Sequence, residues 1–429
     1  MAPPTAGHPH QPARAVRPHT EGTLVTSSIL ITNARVLDVH TGEYLEGVGI
    51  LTDGETIAEV GSRTGPIPST TVIIDAEGRT VLPGFTDAHV HVTACTADIA
   101  AQAEWAPSYV AARSGHILRG MLERGFTTVR DMGGADYGLA DALDEGYLTG
   151  PRLLFGGKAL SQTGGHADMR HRGRNVIDGH PCCPTVGMVC DGADEIRKAA
   201  REQFRTGAHH LKLMLSGGVA SPTDRIDSTQ LSMDEIRAAV EEAEAVNRYV
   251  AGHAYTARAV NRALRAGVRS IEHGNLLDGT SVELFKEQEA FYVPTLVTYR
   301  ALAEEGPRNG LPGASHRKVS EVLDHGLRAL ELAHRGGVDI VFGTDLLGGM
   351  HPHQAMEFTL RGQVQPAIDV IRSATTVAAR LIGMEGRIGE VTPGAFADLV
   401  VVDGDPLADL SVLTRPKTVV KAGQPIARV

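Results

Sequence analysis

Apolar and polar positions along the chain fall into two regimes. From Ser27 the stretch "SSILITNARVLDVHTGEYLEGVGILTDGETIAEVG" alternates in short runs broken by the turn signals HTGE and TDGE, the pattern of an antiparallel sheet. The other end, "GRIGEVTPGAFADLVVVDGDPLADLSVLTRPKTVVKAGQPIARV", reads the same way. Neither segment is long enough to build a core alone, so the two are expected to pack together as one small β-sandwich, residues 27–81 plus 385–429, with the centre inserted between them. Residues 82–384 behave differently. Eight short apolar runs, "GFTDAHVHV", "FTTVRDMG", "PRLLFGG", "HHLKLML", "YVAGHAY", "VRSIEHG", "FYVPTLV" and "VDIVFGTD", alternate with segments of helical spacing such as "SMDEIRAAVEEAEAVNR" and "TARAVNRALRAG". Parallel strands need helical crossovers, and eight such units predict an α/β chain closed as a (β/α)8 barrel, the TIM barrel.

Composition narrows the functional classes. A formal net charge of −10 lacks the concentrated basic surface that a polyanion requires, so no nucleic-acid partner is expected. No run approaches the ~20 apolar residues of a membrane span, and "MAPPTAGHPHQPARAVRPHTEG" has no signal-peptide core, which predicts a cytoplasmic protein with no membrane partner. Residues 1–26 are too poor in large apolar side chains to offset the cost of ordering and read as a disordered tail. Cys95, Cys182, Cys183 and Cys190 lack a zinc-knuckle spacing and read as reduced loop or core thiols.

Candidate chemistry sits where the runs end, since a barrel of this type works at the C-terminal ends of its strands. His89 and His91 close the first run, and their two-residue spacing points both into one interior. Lys212 lies inside the fourth run, His253 closes the fifth, His273 the sixth and Asp345 the eighth. Each has a plainer reading: a strand-end His as a polar loop residue, Lys212 as a side chain reaching for the rim, Asp345 as a helix cap. Together they converge on one rim and point to a metal site. Nitrogen and oxygen donors without cysteine suit zinc first, with manganese, iron, cobalt or nickel as alternatives. An ammonium has no lone pair, so a metal-bridging Lys212 must become an anion. A carbamate formed with carbon dioxide supplies one, and two divalent cations follow.

This set resembles the amidohydrolase superfamily, in its binuclear carboxylated-lysine form. The motifs "SQTGGHAD", "LKLMLSGGVASPTD", "AGHAYT", "IEHG" and "GTDLLGGMHPHQAMEF" are similar to the branch of Xaa-Pro dipeptidase-like and L-arginine or L-lysine carboxypeptidase-like enzymes, which includes the ochratoxin-degrading amidohydrolases. The resemblance implies that His89, His91 and Asp345 hold the more buried metal, His253 and His273 the other, and carboxylated Lys212 bridges them. It implies that Asp345 moves the proton of the attacking water, that His166 stabilises the oxyanion, and that Tyr255, with the amides of Gly218 and Val219, reads a substrate carboxylate. The substrate implied is a dipeptide or an N-acyl amino acid, ochratoxin-like amides included, and the assembly a homo-oligomer such as an octamer. Hydrolysis of an ester, lactone, carbamate or phosphotriester at the same site is an alternative. A non-catalytic scaffold is another, and a one-metal deaminase is disfavoured by the lysine. The loop 170–190 is where preference can diverge.

Overall fold

The computed structural model describes residues 28–62, 67, 69–175 and 184–427. The tail expected over 1–26, together with Cys182 and Cys183, lies outside them. Cys95 and Cys190 are buried free thiols, and burial pushes the Cys190 thiol up to about 12.

The eight apolar runs are eight strands. Phe85–Val90, Phe126–Asp131 and Arg152–Phe155 pair in parallel as one sheet. Leu211–Met214, Val250–Thr256, Ser270–Leu276, Phe291–Val293 and Asp339–Ile340 pair in parallel in that order within a second. Backbone hydrogen bonds outside these ladders join the two sheets at both seams. The His209 amide donates to the Phe155 carbonyl (2.8 Å), and the Ala88 amide to the Phe342 carbonyl (2.8 Å). Of two further strands, Ala159–Ser161 lies beside Leu211–Met214 and Gly187–Val189 pairs with Ala159–Ser161 on its far side. The second falls within the loop 170–190 and the first lies before it.

Helices connect the strands, and their starts are written in the sequence. Met233–Glu244 begins on a capping box in which Ser232 accepts from the Glu235 amide and the Glu235 side chain returns to the Ser232 amide. Ala257–Arg265 is capped by Thr256 and buries Ala259, Val260, Ala263 and Leu264 along one stripe. No described helix is long and apolar enough to cross a membrane.

The terminal segments, expected to pack as a sandwich, are united by strand pairing in one eight-stranded mixed sheet. Its centre is Thr80–Pro83 lying antiparallel to Leu399–Val402. In "LVVV", Leu399 and Val401 enter a cluster with Ile29, Ile31, Val36 and Ile50, while Val400 and Val402 turn to Phe85, Phe126 and Phe342 of the barrel. Both faces of this strand are thus buried, and each such side chain contributes roughly 1.5–3 kcal/mol. That second face fixes the terminal sheet against the first barrel strand, which delivers His89.

Candidate metal centre

His89, His91 and Asp345 offer three ligand atoms that all lie within 4.8 Å of one another. His89 sits in the strand Phe85–Val90 and His91 one residue beyond it. Asp345 arrives five residues past the eighth strand, and its amide donates to the His89 carbonyl at 2.7 Å, which ties the ends of the first and eighth strands together. Asp345 Oδ1 stands 3.2 Å from His91 Nε2 and 3.4 Å from His89 Nε2. Burial works against its charge, but the imidazoles of His89 and His91 hold the carboxyl well below the usual range. His273, Thr295 and Asp345 all adopt left-handed backbone (φ 76°, 46° and 54°), a conformation that costs non-glycine residues energy and concentrates at functional sites.

The second nitrogen of each imidazole is spoken for. His91 Nδ1 donates to the Gly133 carbonyl (2.8 Å) and His253 Nε2 to the Gly217 carbonyl (3.1 Å). A carbonyl can only accept, so His91 Nε2 and His253 Nδ1 are left as lone-pair donors. His89 Nδ1 donates to Glu272 Oε2 (2.8 Å), whose other oxygen accepts from Arg130 Nη2 (2.9 Å) and the Ser270 hydroxyl (2.7 Å). His273 Nδ1 lies 2.8 Å from Thr295 Oγ1. Burial pushes His253 and His273 well below the ordinary histidine range and keeps them neutral.

Lys212 is buried in the strand Leu211–Met214, and its Nζ, like His89 Nε2, has no hydrogen-bond partner among the described residues. Burial lowers the amine to about 8, against the opposing pull of Glu272 and Asp345. Buried polar atoms are normally satisfied, so two orphans in one cluster of ligand-type side chains fit divalent cations. All six predicted ligands, together with His166, Tyr255 and Val219, line one cavity of about 60 Å³. Its other walls are apolar: Ile99, Met169, Val186, Met214, Leu302 and Leu347.

The ring of His166 stacks on His253 with centroids 4.3 Å apart. The Tyr255 hydroxyl accepts from Tyr299 at 3.1 Å. Gly218 departs from the sequence reading. It does not line the cavity, and its amide, expected to meet a substrate, donates to Asp224 Oδ2 at 3.1 Å. It sits behind His166, where a Cβ would collide with the ring. Glu272, Arg130, Thr295, Tyr299 and Asp224 went unread. The first two stand inside quoted runs, where a charged residue flanked by buried strand positions is itself a signal.

The profile of the amidohydrolase family matches residues 80–426, and the chain belongs to that family of hydrolases. Among its relatives, ochratoxinase of Aspergillus niger is 31% identical over 94% of this chain and 87% of its own length. A prolidase solved in complex with N-methylphosphonate-L-proline is 47% identical, covers 94% of this chain and all of its own, and superposes with a TM-score of 0.91. A Xaa-Pro dipeptidase with methionine bound in its active site is 30% identical over the same 94% and its full length, with a TM-score of 0.84. These neighbours carry the TIM-barrel fold.

Proposed function

We propose that the chain is a binuclear metal-dependent amidohydrolase that cleaves the amide bond of an amino acid bearing a free carboxylate. The observation that carries this reading is the pair of orphaned buried nitrogens, His89 Nε2 and Lys212 Nζ, inside a cluster of four imidazoles and a carboxylate. His89, His91 and Asp345 would hold one cation and His253 and His273 the other. The neutral amine of Lys212 would take up carbon dioxide with loss of a proton, and Lys212 would then be an anionic ligand to the cations. Divalent cations, zinc by donor type, supply Lewis acidity toward a carbonyl and acidify water.

The protein's own groups do the rest. Asp345, part-exposed at the cavity and held ionised, accepts the proton of the attacking water and returns it to the leaving nitrogen. His166, at the cavity wall, stabilises the charge that develops on the carbonyl oxygen. The Tyr255 hydroxyl already accepts from Tyr299, so its own proton is directed elsewhere and is available to a substrate carboxylate. Apolar walls favour uncharged groups on either side of the scissile bond. Prolidase, dipeptidase and ochratoxinase relatives support the same bond type. Purified protein loaded with Zn(II) and bicarbonate is expected to release free amino acid from Xaa-Pro dipeptides, N-acyl amino acids or an ochratoxin-type amide. Silence across all three sets sinks the reading.

A further inference from the structure

The loop after the fourth barrel strand carries a buried polar chain that the reaction above does not use. Asp224 is its hub. Oδ2 accepts from the Gly218 amide and from Gln230 Nε2 (both 3.1 Å), and Oδ1 accepts from Lys318 Nζ at 3.2 Å and from the Ser221 hydroxyl. Burial opposes its charge, yet His166, Ser221 and Lys318 hold the carboxyl well below its ordinary range. Lys318 comes from the helix Gly313–Arg335, between the seventh and eighth strands, and also donates to the carbonyls of Gly218 and Ser221 (2.9 Å each). Two distant pieces of chain are thus tied at one carboxylate.

Both ends of His166 lead back to that carboxylate. Its backbone amide donates to Gln230 Oε1 at 2.8 Å, and Gln230 in turn donates to Asp224. Its ring Nδ1 lies 2.8 Å from Ser221 Oγ. A serine hydroxyl has one proton, and here it goes to the ionised Asp224. Ser221 Oγ can then only accept from the ring, so Nδ1 carries a proton whatever charge the imidazole has. Nε2 is the nitrogen left to the cavity, where it donates to a carbonyl oxygen when protonated.

We propose that Asp224 is a positioning residue for His166: through Ser221 it fixes the ring proton on Nδ1, through Gln230 it holds the backbone, and Lys318 is its counter-ion. The proposal rests on the reading of His166 as the group that meets the substrate carbonyl. Two readouts test it separately. In protein labelled with [15N]histidine, the difference from His166→Ala identifies the His166 ring signals. Nδ1 is expected to be protonated in the wild type and to pass to mixed tautomers in Ser221→Ala and Asp224→Asn. An unprotonated Nδ1 in the wild type, or signals unmoved in both variants, overturns the assignment. Should Asp224→Asn not fold, Ser221→Ala, which removes one oxygen, carries the test. With a cleaved amide, both variants are expected to lose about 10–100-fold in kcat with KM within about threefold, the range of groups that orient a reacting residue from behind. In the His166→Ala background the further loss is expected to be under about twofold, because residues acting through one another are non-additive. Equal losses with and without His166 overturn the positioning role. If no amide is cleaved while the ring signals behave as stated, the functional reading fails and the proton placement stands.

Discussion

The two ends of the barrel hold opposite kinds of cavity. At the C-terminal rim, about 60 Å³ is walled by buried imidazoles, Lys212 and apolar side chains, with two nitrogens that have no hydrogen-bond partner among the described residues. At the N-terminal end a cleft of about 720 Å³ opens between Arg248, Arg269, Arg380, Asp339 and Glu385. Its central ion pair is wet. Arg380 meets Asp339 at 2.5 Å with both side chains 41% exposed, and the Arg269 guanidinium lies over Phe291, 5.3 Å from the ring centroid. Volume alone would choose the wrong end. An exposed ion pair is screened by water, whereas an unpaired lone pair out of water has nothing to interact with until a ligand arrives, so the smaller cavity is the one whose chemistry fits a ligand.

That contrast breaks first, and most heavily, at Lys212. Lys212→Met keeps the length and apolar stem but cannot form a carbamate, and is expected to cost roughly 10⁴-fold in kcat/KM, as removal of a central catalytic group does. Metal content by elemental analysis should fall with it. Full metal content with activity within tenfold of wild type would break the comparison, since the rim's orphan would then be as idle as a surface amine. Next comes Asp345→Asn, which removes the proposed proton acceptor while keeping its shape and is expected to lower kcat about 10²–10⁴-fold. An unchanged kcat would move the proton work to another group.

How much of this could be read beforehand differs between the two kinds of feature. The eight barrel strands were legible because a parallel strand buried on both faces reads as an apolar run, and the residues that share the rim cavity stood out because they interrupt or close such runs. The strands Ala159–Ser161 and Gly187–Val189 were not, being three residues each within a Gly- and His-rich stretch that gives periodicity no length to appear. Nor was the Asp224 hub. Lys318 lies 100 residues from Gly218, and only the fold says that one helix reaches back over the loop. Gly218 shows the limit of a local motif. "SGGVAS" offers amides to a ligand, but which amide is already taken depends on Asp224 behind it.

A smaller effect sharpens the comparison through pH. Glu357 is buried near the rim and accepts the amides of Val297 (2.7 Å) and Leu296 (3.3 Å). Burial pushes its carboxyl up to about 7, opposed by Arg361. Because the folded value lies above the unfolded one of about 4.5, the folded state binds the proton more tightly. The stability this gives is full below about pH 4.5 and is lost as pH rises through about 7, a contribution on the order of 3 kcal/mol. Glu357→Gln keeps the acceptor and cannot ionise, so it is expected to flatten the fall in Tm between pH 5 and 8. Parallel wild-type and variant curves would show that this buried carboxyl does not set the slope.

The smallest effect is expected at the other end. Arg380→Ala removes an exposed ion pair with Asp339 but leaves the Arg380 carbonyl that accepts from Arg269 Nη2 at 3.1 Å. A pair this exposed contributes about 0–1 kcal/mol, and at ordinary ionic strength its field is largely screened beyond about 8–10 Å. The barrel's length and its dry interior lie between this pair and Lys212. Unfolding in urea should therefore shift by less than about 1 kcal/mol, and kcat/KM should stay within about twofold. A loss above tenfold would mean that the strands carry strain from the wet end to the dry one. The two cavities would then be one coupled device, because direct electrostatics over that distance is too weak to produce such a loss.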